Sequence, residues 1–164
     1  KEDDMRSLFS LRKTFFYLII TSFFLVTSCS KNEDPLSSQE EHFQAIGMAI
    51  MDASCKIIVK ILRGETSDTL FVPLGARSDA FFVEFYDRNE NLIEPPKSND
   101  QKLTWKIDNE SIVKVHQHEG EEGGYEFHLD GLIEGTTLIE FFIEHDGHND
   151  FRSGKIPAVV KSFN

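Results

Sequence analysis

The segment FFVEFY, residues 81–86, consists almost entirely of aromatic and β-branched side chains. Phe81, Val83 and Phe85 alternate onto one face of an extended chain, which is the pattern of a half-buried β-strand. The same alternation recurs at residues 125–129 and 138–144. Shorter strand candidates are residues 43–51, 56–62, 70–73, 103–107, 112–116 and 158–160.

Turn-forming residues separate these candidates, and no amphipathic helix of useful length is present. Asp, Asn, Ser and Gly cluster at residues 52–54, 88–91, 108–111 and 120–124, and residues 95–100 begin with two prolines. Many short strands at this spacing favour a sandwich or barrel. We therefore predict one all-β domain, a β-sandwich, over residues 42–164. Its single thiol, Cys55, permits no internal disulfide, and we expect a small, half-buried side chain there.

The first 28 residues have a different composition. The run at residues 14–27 is uncharged and follows Arg6, Arg12 and Lys13. It is shorter than the roughly 20 residues of a membrane-spanning helix and is typical of a signal peptide. Residues 1–4 precede Met5, which we expect to be the true start. Residues 29–41 are polar and predict a flexible tether.

The signal segment ends in LVTSC, residues 25–29, which resembles the lipobox of bacterial lipoproteins. The resemblance implies a signal peptide over residues 1–28, formed as an apolar helix, that is removed before Cys29. It also implies acylation of Cys29, with palmitate among the expected modifications. The acyl groups on Cys29 would attach the protein to the membrane, which is therefore an expected partner. The expected location is the cell envelope, at the outer membrane, on its periplasmic or surface face.

The charge of the chain limits its partners. The formal net charge is −11, so nucleic acid and anionic lipid would repel the chain, whereas cations would be attracted. We expect no nucleic-acid partner.

Two segments of the domain resemble a bacterial immunoglobulin-like domain of the BIG2 type. They are LTWKIDNESIVKV, residues 103–115, and GLIEGTTLI, residues 131–139. The resemblance implies immunoglobulin-like topology, with Trp105 as a buried core aromatic. Such domains are adhesion or spacer modules. The chain departs from the pattern after Ile143 and in its N-terminal portion.

The departure after Ile143 contains a chemically distinctive motif. HDGHND, residues 145–150, has the spacing His-x-x-His-x-Asp, and Gly147 would let the chain turn His148 back towards His145. Two imidazoles and a carboxylate suit Zn²⁺ or Cu²⁺. His42 and His128 are candidates for further ligands. The predicted metal-site residues are therefore His42, His128, His145, His148 and Asp150, and the identity of the ion stays open.

Alternatives remain at this motif and elsewhere. Asp146-Gly147 is also a common hairpin turn that needs no metal. His116 and His118 would share one face of a strand and form a second candidate pair. Acidic loops could hold Ca²⁺, but none matches an EF-hand.

No catalytic signature is present in the sequence. It contains no nucleophile elbow, Walker loop or dinucleotide-binding glycine motif. We predict no catalytic residues and no enzyme activity, and instead a lipid-anchored binding protein that binds or handles a transition-metal ion. The alternative is a structural or adhesive module that binds a protein or glycan, with Phe82, Tyr86 and Phe142 as an exposed aromatic patch.

Overall fold

The computed structural model describes residues 42–163. The predicted signal peptide, Cys29 and the tether lie outside these residues. Strands are the only regular elements of the described part. In chain order they are β1 Gly47–Met51, β2 Ile57–Leu62, β3 Leu70–Pro73, β4 Phe81–Tyr86, β5 Leu92–Ile93, β6 Gln101–Ile107, β7 Val113–His116, β8 Glu126–Gly131, β9 Gly135–His145 and β10 His148–Lys161. Over residues 42–163, no helix is long and apolar enough to cross a membrane.

The strands form two sheets. The first has the order β2-β1-β4-β8-β7, with β5 paired to β4, and the second has the order β3-β10-β9-β6. All pairs are antiparallel except β3 with β10. With β2, β3 and β5 set aside, the remaining orders β1-β4-β8-β7 and β10-β9-β6 match the ABED and CFG sheets of immunoglobulin domains. The predicted all-β, immunoglobulin-like sandwich is therefore confirmed.

The core lies between the inner faces of the two sheets. Phe85, Phe127 and Phe141 are fully buried there, and Phe127 and Phe141 meet at 4.9 Å between ring centroids. The alternation predicted for residues 81–86 is confirmed, since Phe81, Val83 and Phe85 are all buried. The alternation of apolar residues in the sequence therefore predicted correctly which faces of the central strands are buried.

The strand boundaries differ from prediction at the two ends of the domain. β1 begins at Gly47 rather than at residue 43. β10 has 14 residues and begins at His148, although only residues 158–160 were predicted to be extended. Charged residues and Gly154 interrupt the apolar pattern in the sequence, so it did not predict the full strand. Gly154 has a φ of +84° and lies at a register irregularity between Arg152 and Lys155.

Two side chains are more exposed than predicted. Cys55 is exposed rather than half-buried, because it occupies a turn with a φ of +61° between β1 and β2. Trp105 is only partly buried, although it packs against the core. It lies on β6, at the edge of the second sheet, where no further strand covers it.

Candidate metal centre

A two-residue turn joins β9 to β10 and brings two histidines together. Asp146 and Gly147 have φ values of +48° and +81°, as a type I′ hairpin turn requires at both central positions. His145 and His148 are consequently direct partners across the hairpin, with ring centroids 5.6 Å apart. His145 continues the inward-facing row of Ile143 and is 8% exposed.

Asp150 lies at a β-bulge in β10. The pairing of β10 with β9 shifts register between Asn149 and Phe151, so Asp150 has no direct partner on β9. A bulge redirects the extra side chain. The carboxylate of Asp150 is fully buried and lies 3.3 Å from His148 Nε2 and 3.4 Å from His145 Nδ1.

Several hydrogen bonds hold the Asp150 carboxylate as an anion. The backbone N–H of Phe43 donates to Oδ2 at 3.0 Å, and Gln101 Nε2 donates to the same oxygen at 3.0 Å. His42 Nδ1 lies 2.8 Å from Oδ1. Burial is the largest single influence and raises the pKa of Asp150, but the bonds from Phe43, His42 and Gln101 together lower that pKa below its ordinary value.

His42 reaches the site from the segment that precedes β1. The ring of Phe43 packs edge-on against Phe85 at 4.8 Å between centroids, and Phe85 also contacts Phe151 of β10. This packing fixes the start of the domain beside the β9–β10 hairpin. The Nδ1 atom of His42 then lies 3.3 Å from His148 Nε2.

Four side chains thus converge on one point, and we name them the first cluster: His42, His145, His148 and Asp150. One ligand atom from each lies within 4.8 Å of every other. Ligands bound at 2.0–2.1 Å to a tetrahedral ion lie about 3.4 Å apart. The separations of His148 Nε2 from His42 Nδ1 and from Asp150 Oδ1, both 3.3 Å, match this value.

One buried ring nitrogen of the first cluster makes no hydrogen bond within residues 42–163. Nδ1 of His145 is buried and has no hydrogen-bond partner among the described residues. Buried polar atoms are almost always paired, so this nitrogen has room for a further partner, such as an ordered water or a bound ion. The other ring nitrogen faces two carboxylates, at 3.6 Å from Asp100 and 3.7 Å from Asp146. Carboxylates behind a ligand imidazole typically orient it towards the metal.

The structure does not bring His128 to this group. Nδ1 of His128 lies 3.0 Å from the carbonyl oxygen of Ser78, and its Nε2 lies 3.2 Å from His118 Nε2. His128 therefore belongs with His118, because it lies on the outer face of β8 while its neighbours Phe127 and Leu129 point inwards. Gln101 was not predicted as a site residue, but it pairs with His145 across β6 and β9.

The predicted aromatic patch is not formed as expected. Tyr86 is 4% exposed, and Phe82 and Phe142 are only partly exposed. Within residues 42–163, the exposed large apolar residues are instead Ile57, Phe71, Leu74, Leu92, Leu132, Ile133 and Phe163.

Comparison with known proteins gives structural similarity only. No family model and no curated protein matches the chain. Domains 4 and 5 of the S-layer protein SbsC are similar over 57% of this chain and 47% of that one, with 20% identity and a TM-score of 0.39. SbsC domains 5–6 match 58% of this chain and 41% of theirs, with 18% identity and a TM-score of 0.40. SbsC domains 4–9 match 74% of this chain and 23% of theirs, with 12% identity and a TM-score of 0.41. The chain thus spans less than half the length of each, and similarities of this size assign no function.

Proposed function

We propose that this chain is a non-catalytic, immunoglobulin-like module of the cell envelope that binds one transition-metal ion at the first cluster. The observation that carries the proposal is the convergence of ligand atoms from His42, His145, His148 and Asp150, in which the buried Nδ1 of His145 makes no hydrogen bond to a described residue and lies 3.4 Å from Asp150 Oδ2. Three imidazole nitrogens and one carboxylate oxygen suit Zn²⁺ or Cu²⁺ and do not suit Ca²⁺ or Mg²⁺. Attachment through Cys29 would hold the site at the membrane.

The arrangement supports binding rather than metal catalysis. Catalytic zinc sites keep a coordination position open for water, whereas four protein ligands fill a tetrahedral shell. The first cluster offers four ligands from two separate parts of the chain, the segment before β1 and the β9–β10 hairpin. A bound ion would therefore join the N-terminal segment to the β9–β10 hairpin.

Metal content of tag-free protein tests the proposal. After exposure to Zn²⁺ and dialysis, the double variant His145→Ala/His148→Ala should retain one equivalent less than the unmodified chain, measured by elemental analysis. Glu144→Gln is the matched control, since this exposed carboxylate precedes His145 but is not among the cluster residues. Equal zinc content in the double variant and the unmodified chain would contradict the proposal.

A second candidate function is a structural or adhesive contact with another envelope protein. Two turns meet where Gly75 N–H donates to the carbonyl of Gly131 at 2.8 Å, and they carry the exposed side chains of Leu74, Leu132 and Ile133. Exposed apolar groups of this kind are common in protein interfaces.

This candidate can be tested with isolated envelope fractions. The variant Leu132→Ser/Ile133→Ser should be retained on them less than the unmodified chain. Ile57→Ser, which removes an exposed apolar side chain from β2, should be retained normally. Equal retention of all three proteins would reject the adhesive surface.

A further inference from the structure

The structure divides the histidines of this chain into two groups of three. The chain has six histidines in total. Three belong to the first cluster, and the remaining three, His116, His118 and His128, form what we name the second cluster. His116 ends β7 and is the direct cross-strand partner of His128 on β8. His118 lies two residues further on, in the loop that joins these strands.

A hydrogen bond fixes the ring of His128. Its Nδ1 lies 3.0 Å from the carbonyl oxygen of Ser78, and a carbonyl can only accept. Nδ1 therefore carries the proton, and in the neutral ring the lone pair is on Nε2. Donation of the second ring N–H to a backbone carbonyl is the usual arrangement behind a metal-bound histidine.

The Nε2 atom of His128 faces the Nε2 atom of His118 at 3.2 Å. This separation is close to the roughly 3.4 Å between two ligands of a tetrahedral ion. The His116 ring lies 5.6 Å from the ring of His118 and 6.2 Å from that of His128, between centroids. The ring centroids of the remaining pair, His118 and His128, are 5.1 Å apart.

The ring centroids of the second cluster are spaced like those of the histidines of the first, although among the described residues only the first cluster has ligand atoms that all lie within 4.8 Å of one another. There the three centroid separations are 5.1, 5.6 and 6.4 Å. In the second cluster they are 5.1, 5.6 and 6.2 Å. Three imidazoles grouped in this way favour an ion that prefers nitrogen, such as Zn²⁺ or Cu²⁺. Asp130 interacts electrostatically with His116 and His128, but its oxygens accept hydrogen bonds from Arg77.

We propose that His116, His118 and His128 form a second transition-metal site, with imidazole ligands only. It differs from the first cluster in two ways. It lies on the outer face of the first sheet, and it has no carboxylate among its ligands. The second site does not depend on the first, because the two groups share no residue.

Zinc stoichiometry in a set of variants tests this second site. The set comprises the tag-free unmodified chain, His118→Ala/His128→Ala, His145→Ala/His148→Ala, and the chain with all four substitutions. The unmodified chain should retain two equivalents of Zn²⁺ after dialysis. Each double variant should retain one, and the chain with all four substitutions should retain none. The single variant His118→Ala should weaken the second site by about 100-fold or more, since even outer partners of zinc ligands contribute 10–100-fold.

The outcomes for the two sites are separable. Full zinc content in His118→Ala/His128→Ala overturns the second site whatever happens at the first. If zinc is lost in His118→Ala/His128→Ala but not in His145→Ala/His148→Ala, the first site is overturned and the second is supported. Glu119→Gln, in the same loop, is the control for general attraction of cations and should retain two equivalents. Unfolding temperatures in EDTA should show that His118→Ala, an exposed position, leaves the fold unchanged.

Discussion

At the scale of single residues, Asp150 connects the parts of the first cluster. Its carboxylate contacts three imidazoles and accepts hydrogen bonds from the backbone of Phe43 and the side chain of Gln101. A buried carboxylate of this kind is stable only while its partners remain in place. Asp150 therefore serves both the fold and the candidate metal site.

Asp150→Asn separates these two contributions. The amide keeps the shape of the side chain but loses the negative charge and one acceptor oxygen. We expect a loss of about 1–3 kcal/mol in the free energy of unfolding without metal, because buried donors lose their acceptor. Zinc affinity at the first cluster should also fall. Urea unfolding in EDTA and zinc titration measure the two effects.

A result in which Asp150→Asn unfolds like the unmodified chain and binds zinc equally well would contradict both roles. Asp108→Asn is a suitable control, since it alters a carboxylate at the other end of β6 that is paired with Lys155. That substitution should leave zinc binding unchanged and cost little, because exposed ion pairs contribute about 0–1 kcal/mol.

At the scale of secondary-structure elements, the β9–β10 hairpin sets the geometry of the first cluster. The two strands pair along most of their length, and two of the four residues of the first cluster, His145 and His148, flank their turn. Gly147 has a φ of +81°, and a Cβ added there would meet nothing within 4 Å. Substitution at this position therefore tests backbone conformation without a steric clash.

Gly147→Val should weaken zinc binding although every ligand is retained. A β-branched residue is strongly disfavoured at positive φ, so the turn should distort and move His148 away from His145. The free energy of unfolding should fall by more than about 1 kcal/mol. Gly75→Val is the matched control, with a φ of +70° and equally open surroundings. If Gly147→Val and Gly75→Val bind zinc equally, the turn does not organise the site.

At the scale of the whole molecule, the first cluster connects distant parts of the sandwich. His42 precedes β1 of the first sheet, whereas the other three residues of the first cluster lie at the ends of β9 and β10 in the second. An ion bound here would link the two sheets at one end. Because the unfolded chain cannot form this arrangement, binding should stabilise the folded state.

Zinc should therefore raise the unfolding temperature of the domain. At 100 times the dissociation constant, one bound ion adds about 2.7 kcal/mol, which corresponds to roughly 10 °C for a domain of this size. Differential scanning calorimetry of the tag-free chain measures the rise, with Mg²⁺ as the control ion. A comparable rise in His145→Ala/His148→Ala would show that the stabilisation arises outside the first cluster.

The sequence by itself determined the local features of this protein. Alternation at residues 81–86 identified a buried strand face, and His145-x-x-His148-x-Asp150 identified three of the four residues of the first cluster. These features are short-range, because side chains two to five residues apart are positioned by the strand and its turn. Only the tertiary structure decided that His42 joins them and that His128 lies with His116 and His118. Those groupings depend on strand order and on the packing of Phe43 against Phe85, which involve contacts between residues far apart in the chain.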